Sequence, residues 1–288
     1  MRRTQEALRT IGVLCGIAAA VGGAVFVGAR WGLTHQAAVA RRRIGKPLGE
    51  EALDADRVWR RGLGGDPIEL LVLGDSIAAG LGAERRKDTL GGRLAKAVAR
   101  RTGRPVRLRT AAVVGSESSA LDGQIDALPA GYRPDVAVIV VGGNDVTHRV
   151  PVSESTAHLA KAISRVRGRG AEVVVGTCPD LGALRPVPQP LRTLGSRLSR
   201  QLAEAQAEAA RASGARVVSL GRAVGPFFIS QPDEMFSLDR FHPSALGYRR
   251  TAEVLLPPVL AALASAARDA APPSDAAAPE PVSASSPG

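Results

Sequence analysis

Aromatic residues make up only 3% of this 288-residue chain, which also holds just two cysteines, Cys15 and Cys178, and four histidines. So few rings argue against a surface that binds nucleic acid by stacking bases. They also predict an aliphatic core. Two cysteines far apart in sequence cannot build a disulfide framework or a cysteine-rich metal site. Four histidines leave few candidates for any step that needs a base near neutral pH.

The positive charge is unevenly placed. Of a net charge of +11, seven units fall within residues 1–46, where eight Arg or Lys face only Glu6. They flank "IGVLCGIAAAVGGAVFVGA", residues 11–29, an uncharged run. At about 1.5 Å per residue it is long enough to cross a hydrocarbon core of roughly 30 Å. It reads as an N-terminal membrane helix behind a basic N-terminus at 1–10. A signal peptide is the alternative, since Arg2 and Arg3 suit its charged start and Val27 and Ala29 suit a small-residue cleavage site. The length and glycine content of the run favour an uncleaved anchor. Cys15 follows Leu14 rather than a small residue, so it does not read as an acylation site. Basic residues on both sides leave the positive-inside rule undecided. A segment of this kind exports the chain on its carboxyl side, so the expectation is a single-pass protein of the cell membrane with an extracytoplasmic domain, secreted if the segment is cleaved.

Residues 30–65 read as a linker, and the Ala/Pro/Ser-rich end, 268–288, as a disordered tail. Between them, 66–267 form one domain of ordinary size. Aliphatic runs of strand length fall at 68–74, 106–113, 135–142, 171–177 and 215–220. Helical patterns fall at 89–102, 117–128, 153–168, 190–213 and 243–267. This alternation predicts an α/β fold, a five-stranded parallel sheet with helices on both faces. Sites in such sheets lie at the carboxyl ends of the strands.

Four short pieces fall at such positions. Gly74-Asp75-Ser76 follows the first strand, Gly115 the second, and Gly142-Gly143-Asn144-Asp145 the third, while Asp239 and His242 precede the last helix. Ester acyl transfer needs a nucleophile, a base, a group to orient the base, and donors for the oxyanion. Ser76 supplies the hydroxyl. His242 is the candidate base, and Asp239, three positions earlier, is placed to hold its other ring nitrogen. The backbone N–H groups of Ser76 and Gly115 and the side-chain amide of Asn144 are the candidate oxyanion donors. Among the other histidines, His35 adjoins the membrane segment, His158 lies within a helix, and His148 is the competing base at the rim. Asp75 reads as a cap, Asp145 as a cap or loop support, and Gly142 and Gly143 as turn residues. Phe227-Phe228 belongs either to an acyl pocket or to the core.

These ordered blocks, GDS, Gly, GxND and DxxH, resemble the SGNH hydrolase family, the GDSL-type esterases and lipases, over about residues 68–262. Ile77 stands where the family's name expects Leu, and both are apolar. The resemblance implies a flavodoxin-like three-layer α/β/α sandwich, no metal or organic cofactor, and hydrolysis of carboxylic esters. Carried over by position, Ser76 is the nucleophile, His242 the base, Asp239 its orienter, and Gly115 and Asn144 oxyanion donors. The expected substrates are acyl or acetyl esters of lipids or glycans. Acyl transfer to a sugar or other alcohol stays open, as does a non-catalytic surface module that binds acylated glycans or lipids. The expected partners are the ester substrate and, through residues 11–29, the membrane, with no nucleic acid.

Overall fold

The computed structural model describes residues 49–269 without a break, with 28, 30–45 and 47 before them. Apart from Gly28, the expected membrane segment at 11–29 lies outside the described residues, as does the expected tail beyond Asp269. Within 30–65, expected as a linker, residues 30–44 form helix α1 and Val58–Trp59 form strand β1.

Strand β2, Ile68–Gly74, lies inside the sheet because both of its faces are apolar. It pairs in parallel with β3, Val106–Thr110, on one side and with β4, Val136–Val140, on the other. Strands β5, Glu172–Gly176, and β6, Arg216–Val218, extend the sheet beyond β4, again in parallel. The expected sheet of five parallel strands is corrected to one of six, in the order β1-β3-β2-β4-β5-β6. The added strand, β1, runs antiparallel along β3, with Val58 opposite Arg107 and Trp59 opposite Val106. Two residues are too short a run to register as a strand in a hydrophobic pattern; the pairing itself defines it.

The helices run in chain order from α2, Ser76–Ala79, and α3, Leu90–Thr102, through α4, Leu121–Asp126, and α5, Gly143–His148. Next come α6, Val152–Arg167, and α7, Leu191–Ala212, then three short helices, α8, Leu220–Ala223, α9, Gly225–Ser230, and α10, Pro232–Met235. The last, α11, spans Ala245–Asp269. Alternate side chains of the strands enter two separate cores. Leu70, Val72 and Val138 pack with Leu94 of α3 and Leu255 of α11. Leu71, Leu73 and Ile139 pack with Ile125 of α4, Ile163 of α6 and Ala210 of α7. The result is three layers, α/β/α. Among the described residues one helix, α11 over Ala245–Arg268, is long and apolar enough to cross a membrane. Its Tyr248, Leu255, Val259 and Ala262 are fully buried in the first core, which accounts for that apolar character.

From β2 the chain steps to β3 on one side and later to β4 on the other. The loops leaving β2 and β4 therefore diverge at their carboxyl ends, and a crevice opens between them.

Candidate active site

The crevice begins where β2 approaches β4 most closely. Gly74 has φ +131°, and a Cβ there would lie 1.8 Å from the Val140 carbonyl oxygen, so no other residue fits. The next amide, Asp75 N–H, donates to that same oxygen at 3.0 Å. Asp75 then caps α2, its Oδ1 accepting from the Ile77 N–H at 3.0 Å. Ser76 thereby becomes the first helical residue, and its own N–H has no acceptor within the helix.

A chain of hydrogen bonds leads from Ser76 to a buried carboxylate. Ser76 Oγ lies 3.0 Å from His242 Nε2, and His242 Nδ1 lies 2.6 Å from Asp239 Oδ2. The other oxygen of Asp239 accepts from Ser237 Oγ at 2.8 Å and from the N–H groups of Phe241 and His242, both at 2.9 Å. Burial alone would raise the pKa of Asp239, but these bonds to its charged form outweigh it and bring the value down to about 2. An ionised Asp239 keeps the proton on Nδ1, so Nε2 faces the Ser76 hydroxyl as an acceptor. Ser76 and His242, the candidate nucleophile and base, come from chain segments 166 positions apart. Ser237, which no sequence motif marks, completes the shell around Asp239.

Of the expected oxyanion donors, Asn144 lines the same cleft as Ser76 and His242. Its Nδ2 donates to Ser116 O at 2.9 Å, which ties the loop after β3 to α5 and leaves one amide hydrogen free. Gly115, next to that anchor, has φ +82° and open space where a Cβ would stand. Its N–H meets no acceptor among the described residues. The competing base, His148, instead pairs through Nδ1 with Glu117 at 2.7 Å in an exposed contact.

Two buried glutamines hold the strand ends that carry these loops, and sequence reasoning misses both. Gln124 of α4 accepts from Gly74 N–H at 2.9 Å and donates to Gly74 O at 2.8 Å. Gln206 of α7 accepts from Cys178 N–H at 2.7 Å and donates to Val141 O at 3.0 Å, bridging the ends of β5 and β4. In a polar helix face, nothing marks which glutamine turns inward. Asp145 is also buried and accepts from Ser118 N–H and Oγ, so it supports the loop. Burial raises the carboxyl of Asp75 to about 6, with the Asp145 charge adding to the rise and the Ile77 N–H and His242 opposing it. Cys178 is free and buried, and burial pushes its thiol well up, an inert state. Among the described residues no group of three or more His, Cys, Asp or Glu is arranged to hold a metal ion.

The cleft that holds Ser76 has a cavity volume of about 70 Å3, and away from Ser76 it forms an apolar recess walled by Leu181, Leu184, Val224, Phe228 and Phe236. Phe228 and Phe236 meet edge to face, their centroids 4.9 Å apart. The two neighbouring phenylalanines thus part ways: Phe228 is buried in the core and also lines the recess, while Phe227 is partly exposed, packing against that core beneath the Arg250 guanidinium.

A profile of the GDSL-like lipase/acylhydrolase family matches residues 72–250. A GDSL-like esterase of Mycobacterium tuberculosis is 40% identical over 266 residues, which is 88% of this chain and 82% of that one. A solved lipase/acylhydrolase from Enterococcus faecalis superposes with a TM-score of 0.53 at 20% identity, over 66% of this chain and 94% of its own. A variant of an acetyl xylan esterase from Geobacillus stearothermophilus gives 0.52 at 20% identity, over 68% and 95%. These two structural likenesses concern the fold.

Proposed function

The chain belongs to the GDSL-like lipase/acylhydrolase family and is a serine hydrolase of ester bonds, and on that premise we propose that it works through an acyl-enzyme on Ser76, taking short acyl groups. The observation that carries this reading is the unbroken chain Ser76–His242–Asp239 beside an apolar recess. Ser76 Oγ attacks the ester carbonyl carbon while its proton passes to His242 Nε2. Asp239 holds the imidazolium that results. The carbonyl oxygen, now an anion, is met by the N–H groups of Ser76 and Gly115 and by Asn144 Nδ2. Collapse of the intermediate expels the alcohol, which takes the proton from Nε2. Water then gives a proton to Nε2 as it attacks the acyl carbon; collapse of this second intermediate breaks the bond to Ser76 Oγ, which takes the proton back from Nε2, and the acid leaves.

The narrowness of the recess supports acyl chains of a few carbons. The segment at 11–29 supports a site of action at the membrane, with the domain outside. The test is hydrolysis of nitrophenyl acetate, butyrate, octanoate and palmitate by the full-length protein and by Ser76→Ala. The expected result is turnover favouring the two shorter esters and lost in the variant. Undiminished turnover by a folded Ser76→Ala protein overturns the mechanism, and a preference for palmitate overturns the chain length.

A further inference from the structure

A second cavity, of about 390 Å3, shares the Phe236 wall with the acyl recess. Three arginines from three separate segments line it: Arg43 of α1, Arg185 of the loop before α7, and Arg240 of the turn between Asp239 and His242. Two of them are tied to the site by their sequence neighbours. Leu184, beside Arg185, lines the recess, and so does Phe241, beside Arg240.

The charge there is uncompensated. Arg43 donates only to the Pro186 carbonyl at 3.4 Å, and Arg185 only to the Ile229 carbonyl at 3.1 Å. Among the described residues no carboxylate stands within ion-pairing distance of either one, or of Arg240. Asp233 is the single acid on the wall. Elsewhere on the surface arginines do hold acids: Arg165 holds Asp122 and Asp126, and Arg107 holds Glu69. Arg240 also has φ +55°, a conformation seldom adopted by residues with a side chain. The turn that folds Phe241 and His242 back onto Asp239 imposes it. The loop that orients the base thus also brings Arg240 to the wall of this cavity.

Three arginines lining a roomy cavity, with Asp233 the single acid beside them and ion-paired to none of them, suit the planar oxygens of a carboxylate or phosphate. We propose that this cavity is a subsite for an anionic group carried by the ester substrate, a carboxylate or a phosphate monoester. The proposal deepens the serine esterase reading and rests on it for the claim that the anion belongs to a substrate; the anion site itself can be tested without turnover.

Binding of phenyl phosphate to full-length Ser76→Ala protein is measured by calorimetry, alone and with Arg185→Gln or Arg43→Gln added. The expected result is saturable one-to-one binding, weakened about tenfold or more by either arginine change, since each removes a charge-assisted contact. Two matched ester pairs then report on the substrate: nitrophenyl butyrate against nitrophenyl succinate, with the anion on the acyl side, and phenyl acetate against 4-acetoxybenzoate, with the anion on the alcohol side. In one pair the anionic member is favoured in kcat/KM by about tenfold, and the ratio falls toward one in Arg185→Gln and at high salt. Phenyl phosphate binding that is lost in Arg185→Gln, with no ester turned over, sinks the esterase reading and keeps the anion site. No binding of phenyl phosphate overturns the proposal, as does binding only to anionic lipid vesicles. Equal kcat/KM within both pairs also overturns it.

Discussion

Replacing Asp75 by Asn tests whether the carboxylate next to Ser76 is held at a cost to folding. Asp75 is 2% exposed, and its pKa rises from 3.8 to about 6, chiefly because burial disfavours the charged form. The folded protein therefore holds this proton to a higher pH than the unfolded chain does. Its contribution to stability falls as pH climbs from 3.8 to about 6 and is level above that. At about 1.36 kcal/mol per pKa unit the loss is about 3 kcal/mol. Asparagine keeps an oxygen for the Ile77 N–H. Its amide nitrogen replaces the second carboxylate oxygen, a change that is a fixed offset, the same at every pH. Urea unfolding of parent and variant from pH 4 to pH 8 separates the two effects. The stability of Asp75→Asn relative to the parent is expected to rise by roughly 2–3 kcal/mol across the range, the part of the full loss that lies above pH 4. A difference that stays flat with pH refutes the reasoning, whatever its sign. Asp75 also interacts electrostatically with His242, so turnover is expected to drop even as the fold gains.

Gly74→Ala forces a Cβ to 1.8 Å from the Val140 oxygen, a clash with backbone that should destabilise by about 4 kcal/mol or more; a urea midpoint close to the parent's counts against the close approach. Gln206→Leu strands the buried Cys178 N–H and Val141 carbonyl, which should destabilise by about 2–4 kcal/mol and lower kcat, because the loop bearing Asn144 follows Val141. Unchanged stability and kcat would remove Gln206 from its supporting role. Phe228→Ala opens the recess: hydrolysis should shift from butyrate toward octanoate, with about 3 kcal/mol less stability, and an unmoved chain-length preference would place the acyl group elsewhere.

Much of the site was legible because its chemistry sits at strand ends and helix starts. β2 and β4 are apolar on both faces, so their boundaries show as abrupt halts at Gly74 and after Val141. Asp239 and His242 are three residues apart, a local spacing that one turn converts into the 2.6 Å contact. β1 was not legible, since two residues carry no period. Nor were Gln124 and Gln206, whose inward turn depends on which strand carbonyls lie opposite them. The αL backbone at Arg240 is likewise a consequence of how Asp239 gathers three donors.

Residue identity by itself determined the alternation of strand and helix and singled out Ser76, His242 and Asp239, which the fold brings into one hydrogen-bonded chain. It did so because apolar periodicity and short-range spacing are properties of adjacent residues. Only the tertiary structure decided that Phe228 and not Phe227 lines the recess, that His148 pairs with Glu117 rather than Ser76, and that Arg43, Arg185 and Arg240 line one cavity. Those outcomes depend on distances between segments far apart in the chain, which are set only when the two cores pack on either side of the sheet.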